Sequence, residues 1–508
     1  MDRQTACHSQ IDIVRMKMSA GHAAAGGLHC VSILQKRSAP QRLQPPGHPA
    51  GCSTGPGPEQ AHRHFEAMLA KLQSATRLGK PAGDSVTPAG YGLLARLILN
   101  DATWDATGDF GGDPVSGSGS GSLRGLLGLD SLYGQRSTLS PEFCDESGIR
   151  FRIGLTEISG GAGHSSRHLP HDLPRDTDGR AIIADRRNDD SLLFSQFIQI
   201  WMKLHNVIAD RLAAHDCPQP ATEARKLVVR HFHRVILNDF MPRIASAALK
   251  PRAGDLTIQT RPTRPTRPTR DEWVMAMQCV WPCTQRLSYE LNQNFVEKPV
   301  DSGQLEALTG DGGIAPVPSN WIIDWRRFFS FRSTPARTDD SVHYNRSTKL
   351  DLTAVSTANP SFASAAMERS LTRMENARQI CTRFGVVPLS DQKIRASLPP
   401  SLAAWLDETG LKSQMPLWLY LMIEAAVEQN GNRPGTLGAT IIRNGILAQL
   451  PQGADDRAER LPDFPGRDNV LALPLTDGNP ARSIAELIAM IDAATPLLSP
   501  LDDARYGD

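Results

Sequence analysis

Chemistry in this chain has three places to start from. The run Arg186-Arg187-Asn188-Asp189-Asp190 sets two guanidiniums beside two carboxylates just ahead of a long apolar stretch. Cys279 and Cys283 stand four residues apart, and His164, His168 and His171 crowd the segment GGAGHSSRHLPHD. A guanidinium stabilises developing negative charge, a thiol acts as nucleophile or metal ligand only once deprotonated, and imidazoles at such spacing can catch a transition metal. Read from the residues alone, each has a plainer account: a charge cluster at an exposed helix start, two buried thiols and a solvated loop. His231 and His233, two residues apart, cannot share one helix face.

These groups must be positioned by helices. In SLLFSQFIQIWMKLHNVIADRLAAH the apolar residues Leu193, Phe197, Ile200, Trp201, Leu204, Ile208 and Leu212 recur at three and four, with Asn188, Asp189 and Asp190 at a start where the helix dipole favours acids. A second pattern over 221–249 must break or kink at Pro242. GYGLLARLILNDATWD (90–105), PLWLYLMIEAAVEQNG and LGATIIRNGILAQL add further helices, and Ser483 with Glu486 forms a capping box. Alternating strand patterns are scarce, so the predicted fold class is mostly α, with few short strands.

Bulk properties narrow the partners. Lys plus Arg number 55 against 54 Asp plus Glu, so no global field selects nucleic acid or an anionic membrane, and neither is expected as a partner. No apolar run reaches the roughly 20 residues a membrane span requires. The 8 cysteines are scattered and form no disulfide framework, which predicts a reducing, cytoplasmic setting. Residues 1–61, rich in Gly, Pro, Ser, His and Gln, read as a disordered leader, or as a product of a mistaken start codon. One body is expected over 62–500, with loop insertions at 108–125 (Gly/Ser-rich) and 261–270 (RPTRPTRPTR, extended, solvated and basic enough to attract phosphate), and a tail at 501–508.

Five segments, in order, resemble the animal haem peroxidase superfamily, the group of myeloperoxidase, peroxinectin and cyclooxygenase, and above all its bacterial branch. They are AGYGLLARLILNDATWD (89–105), LDSLYG (129–134), the stretch 172–210 around ADRRNDD, ARKLVVRHFHRVILNDFMPRI (224–244), and PLWLYLMIEAAV with LGATIIRNGIL (416–447); IIDWRRFF (322–329) is also typical. The resemblance implies a peroxidase-like helical bundle with haem as cofactor, calcium as structural ion and a small organic molecule as substrate. Peroxide cleavage requires an iron held by an imidazole, a base that moves a proton between the oxygens, and a cation for the developing charge.

Residue by residue, the resemblance places the distal cation on Arg187 and the acid that binds the haem edge on Asp190. The distal histidine falls on Asn100, which can orient an oxygen ligand but cannot accept and return a proton; the nearby glutamine falls on Arg96, and Leu99 removes a second attachment point. Anchored on RLSYELN (286–292), the proximal histidine falls on Pro282 within Cys279-Val280-Trp281-Pro282-Cys283. Only Cys283 or Cys279 remains there as a donor, in the manner of a haem thiolate. Asp101 and Asp130 match calcium ligands, whereas Gly128 removes a carboxylate and Arg124 adds a positive charge, so calcium is expected to bind weakly or not at all. His205 and His231 are expected in core or hydrogen-bonded roles. Three functions follow as expectations: a degenerate peroxidase with turnover lost or reduced, a non-catalytic ligand- or partner-binding relative, and a haem-thiolate oxidase using Cys283.

Overall fold

Strand β1 (Asp84–Pro88) runs straight into helix α1 (Gly90–Ala102), all of whose residues are buried. Gly90 is dictated by packing: a Cβ there would stand 2.3 Å from the Phe329 ring, so only glycine lets the helix begin so close to it. A single turn, α2 (Asp130–Tyr133), precedes the long helix α3 (Leu192–Ala214). The Ser191 hydroxyl caps α3 by accepting the Phe194 amide at 3.3 Å. The acids expected to start this helix belong instead to a separate 3-10 turn, Arg186–Asp189, because Asp185 caps that turn through the Arg187 amide.

Helix α4 (Pro220–Val235) widens into a π turn (Ile236–Phe240) and continues as the short α5 (Met241–Ile244). The disruption predicted at Pro242 is thus taken up in the preceding turn, since proline lacks the amide that would bond back to residue 238. Helix α6 (Arg270–Gln278) begins inside the triplet repeat. Thr269 and Glu272 form a reciprocal capping box, so the last repeat residue, Arg270, is helical rather than loop.

Two antiparallel pairs, β2 (Ser288–Tyr289) with β3 (Val300–Asp301) and β1 with β4 (Arg346–Thr348), are the strands among the described residues. Helix α7 (Ser302–Ala307) follows β3. After β4 come α8 (Leu352–Ala358), α9 (Pro360–Arg373), α10 (Ala377–Arg383), α11 (Asp391–Ser397), α12 (Pro400–Thr409), α13 (Leu417–Gln429), α14 (Thr436–Gln449) and α15 (Ile484–Asp492), the last capped by Ser483 and Glu486 as predicted. The architecture is mostly α.

α3 lies at the centre and packs on α1, α4 and α15, while α6 packs on α13, α14 and α1. The site region is therefore the seam where α1 is held between α3 and α6. This computed structural model describes residues 60, 63–67, 83–104, 127–134, 139–159, 167–249, 266–307, 316–331, 345–450, 481–498 and 501. The expected leader before residue 60, the Gly/Ser loop and most of the triplet repeat lie outside them, as does the tail from 502. Phe65 packs its ring on Trp405 and Trp418 near the expected start of the body, and Leu501 packs with Leu169 and Ile322 at its end. The five described cysteines are buried free thiols, and no helix among the described residues is long and apolar enough to cross a membrane.

Candidate functional site

The C-terminal end of α1 is tied to the 3-10 turn by a knot of polar side chains. The Asn100 amide donates to Asn188 Oδ1 at 3.2 Å, and Asn188 Nδ2 donates to the Ser131 carbonyl at 3.0 Å. Arg187 grips the fully buried Asp185 through Nε and Nη2 at 3.0 and 2.7 Å, and donates to Thr103 Oγ1 at 2.9 Å and to the Asn100 carbonyl at 2.8 Å. The structure thus brings Asn100 and Arg187 together. Both side chains bond to protein, and the guanidinium, 19% exposed, closes a clasp over the end of α1.

Asp101 is beside them but looks the other way. Its carboxylate accepts the Leu129 amide at 2.9 Å, the Ser131 amide at 3.0 Å and the Ser131 hydroxyl at 3.2 Å, holding the start of α2. Burial pushes its carboxyl up to about 7 against the pull of those donors. Asp130 pairs instead with Arg225 at 2.7 Å. An oxygen cage for a hard cation needs several carboxylates with lone pairs to give, and here the two candidates are committed to an amide nest and an arginine. Arg124 lies outside the described residues.

Arg96, one α1 turn before Asn100, reaches into the seam. Its guanidinium lies 4.3 Å from the Phe194 ring centre and 5.0 Å from that of Trp281, and it is ion-paired with Asp190. Asp190 is therefore a counter-ion in this structure. A Cβ on Gly92 would lie only 3.6 Å from the Trp281 ring, so the backbone of α1 is in van der Waals reach of that tryptophan.

The segment carrying Pro282 is not helical. α6 stops at Gln278, and residues 279–284 form turns, because Pro282 lacks an amide and disfavours helical geometry at Trp281. Cys279 and Cys283 are buried; a hydrogen bond between the two thiols, together with burial, raises Cys279 well above the usual thiol range. The donors at the position assigned to the haem ligand fit it poorly: proline has no ligand atom, and the Cys279 thiol, held protonated, is a poor one.

The histidine cluster is dispersed. His164 lies outside the described residues, His168 Nδ1 meets the Thr156 carbonyl at 2.6 Å, and His171 is buried against Lys203. Among the described residues no group of three or more His, Cys, Asp or Glu is placed to hold a metal ion. His205 bonds to the Tyr133 hydroxyl and the Ile149 carbonyl, both at 3.0 Å, and burial lowers both His205 and His231 to about 4, the neutral core role expected of them. A cleft of about 260 Å³, the open solvent at its mouth included, adjoins the seam and is lined by Tyr91, Gly92, Cys279, Val280, Thr284 and Arg433 among others.

Two buried ionisable groups escaped the sequence reading. Gln196, Gln199 and Lys203 form a polar row along α3 that a helical wheel assigns to solvent; loops 169–172 and 321–323 cover it. Lys203 Nζ lies 3.2 Å from His171 Nδ1, and burial lowers the lysine to about 7. Glu424 on α13 accepts the amides of Leu437 and Gly438 at 2.8 and 3.1 Å at the start of α14, and burial, then the nearby Glu428, raise it to about 8. The available signal for Glu424 was a lone acid inside the apolar run LWLYLMIEAAV.

No family model matches this chain, and no curated protein matches it. Among solved structures it is similar to peroxidase A from Dictyostelium discoideum, at 12% identity and a TM-score of 0.39, over 63% of this chain and 61% of that one. The chain thus spans about three-fifths of that protein's length.

Proposed function

We propose that this chain is a degenerate relative of the animal haem peroxidases whose ordinary peroxidase turnover is lost. The observation that carries the reading is the clasp of Arg187. A cation that stabilises a transition state must aim its donors at the place where charge develops, and this one directs them at Asp185, Thr103 and the Asn100 carbonyl. Asn100 supports it, since an amide already bonded to Asn188 offers no base for proton transfer. The superfamily assignment itself rests on the ordered motifs of the sequence, above all residues 172–210.

A second, non-catalytic reading is that the chain binds a small organic ligand or a partner. The haem-thiolate alternative has the buried, mutually bonded thiols against it. Free thiols suit a reducing, cytoplasmic setting. The test is peroxide-driven oxidation of a guaiacol-type donor by purified protein supplied with haem. The expected rate equals that of free haem, and a rate far above it with a stoichiometric Soret band would overturn the reading. Thermal stabilisation by small organic ligands without turnover would support the binding role.

A further inference from the structure

The Arg96 side chain is 6% exposed, and its guanidinium is held between two aromatic rings beside a carboxylate. Such a charge is tolerated inside a protein only with a partner, and the ring faces add attraction of their own. Asp190 supplies the partner, and Arg96 Nη2 also approaches the Arg187 carbonyl at 3.5 Å, which ties the pair to the polar knot. On its far side Trp281 closes against Gly92. Together these residues join α1, α3 and the 279–284 turn across the seam.

We propose that Arg96 and Asp190, clasped by Phe194 and Trp281, are a built-in plug that takes the place of a prosthetic group, so that the folded protein is complete as synthesised and excludes haem. The inference rests on the reading that turnover is lost, and it goes further by giving both residues a different role from the one the resemblance implies. Asp190 neutralises an arginine instead of anchoring a porphyrin. To admit a macrocycle the protein must break this ion pair and strip Arg96 from both rings.

The experiment is a haem titration of the purified full-length protein, followed by Soret absorbance and by quenching of tryptophan emission, with an excess haem-scavenging protein added at the end. The expected result is a non-saturating change fully reversed by the scavenger. A one-equivalent, scavenger-resistant band overturns the plug. If that band appears without peroxidase turnover, the plug falls and the proposed function stands; if turnover accompanies it, both fall.

Arg96→Ala, Asp190→Ala and the double variant are melted in parallel, and Arg96→Lys keeps the charge while losing the flat stack. Each alanine variant is expected to lower Tm by about 5 °C or more, Arg96→Lys by less, and the double variant by several degrees less than the sum. Additive losses, or no loss in either single variant, overturn the proposal. Should a single variant fail to fold, the titration of the unaltered protein still decides.

Discussion

The two sides of the seam solve the same packing problem in opposite ways. At the end of α1, Asn100, Asp101, Arg187 and Asn188 keep polar side chains and find each one a partner in protein. At the end of α6, Val280, Trp281, Pro282 and the two thiols fill space with apolar or weakly polar atoms. The two ends therefore differ in kind: one keeps polar side chains turned inward onto protein partners, and the other fills its space with bulk.

The contrast is most easily broken at Asp185. Its removal by Asp185→Ala strands the Arg187 guanidinium over a buried site, and denaturant unfolding should show a loss of about 3–5 kcal/mol. A loss under about 1 kcal/mol, the range of an exposed pair, would mean the clasp is loose and Arg187 is available for other work.

Next in size is the contrast between charges that are paired and charges that are merely buried. Lys203 is lowered from 10.5 to about 7 by burial, so between those values the unfolded chain carries a proton that the folded one does not. Stability should then climb by about 1.4 kcal/mol per pH unit from pH 7 toward 10, and Lys203→Met should abolish that slope. Glu424 is raised from 4.5 to about 8 by burial and Glu428, which reverses the sign: from pH 4.5 to 8 the folded chain holds the extra proton and stability falls. Glu424→Gln, still able to accept an amide, should flatten this limb. Urea midpoints across pH read both, and slopes unchanged by either substitution would refute the assignment.

Smaller effects sharpen the contrast. Asn100→Leu should cost about 1–3 kcal/mol, because the Asn188 Oδ1 acceptor loses its donor. Cys283→Ala, on the apolar side, should cost about 1 kcal/mol or less, as expected for loss of a small buried group. If the two costs come out equal, the sides of the seam are not built differently.

Much of this was legible in the sequence. Apolar spacing marked α3 and α4, Pro242 marked the disruption between them, and Ser483 with Glu486 marked the start of α15, because each is a local signal acting within a few residues. The proximity of Asn100 and Arg187 was legible only through the motif order. The polar row of α3 was misleading: Gln196, Gln199 and Lys203 look like a solvent face until loops distant in sequence cover them. The end of α6 at Gln278 was legible in Pro282, which disfavours helical backbone just ahead of it. Arg96 was visible as a substitution, but its partner, 94 residues away in the numbering of the chain, follows only from the three-dimensional packing.

The π turn before Pro242 has a topological consequence. Asp239 sits within it, accepting the Tyr91 hydroxyl at 2.8 Å, Arg243 Nε at 2.7 Å and the Ile484 amide at 3.0 Å. One carboxylate thereby stitches the first buried helix to the last, across sequence separations of 148 and 245 residues. Closing loops of that length costs entropy that only late contacts repay. A chain cleaved ahead of Ser483 would lose the Ile484 amide from this carboxylate and should hold the Tyr91 hydroxyl on it less firmly, however intact its middle remains.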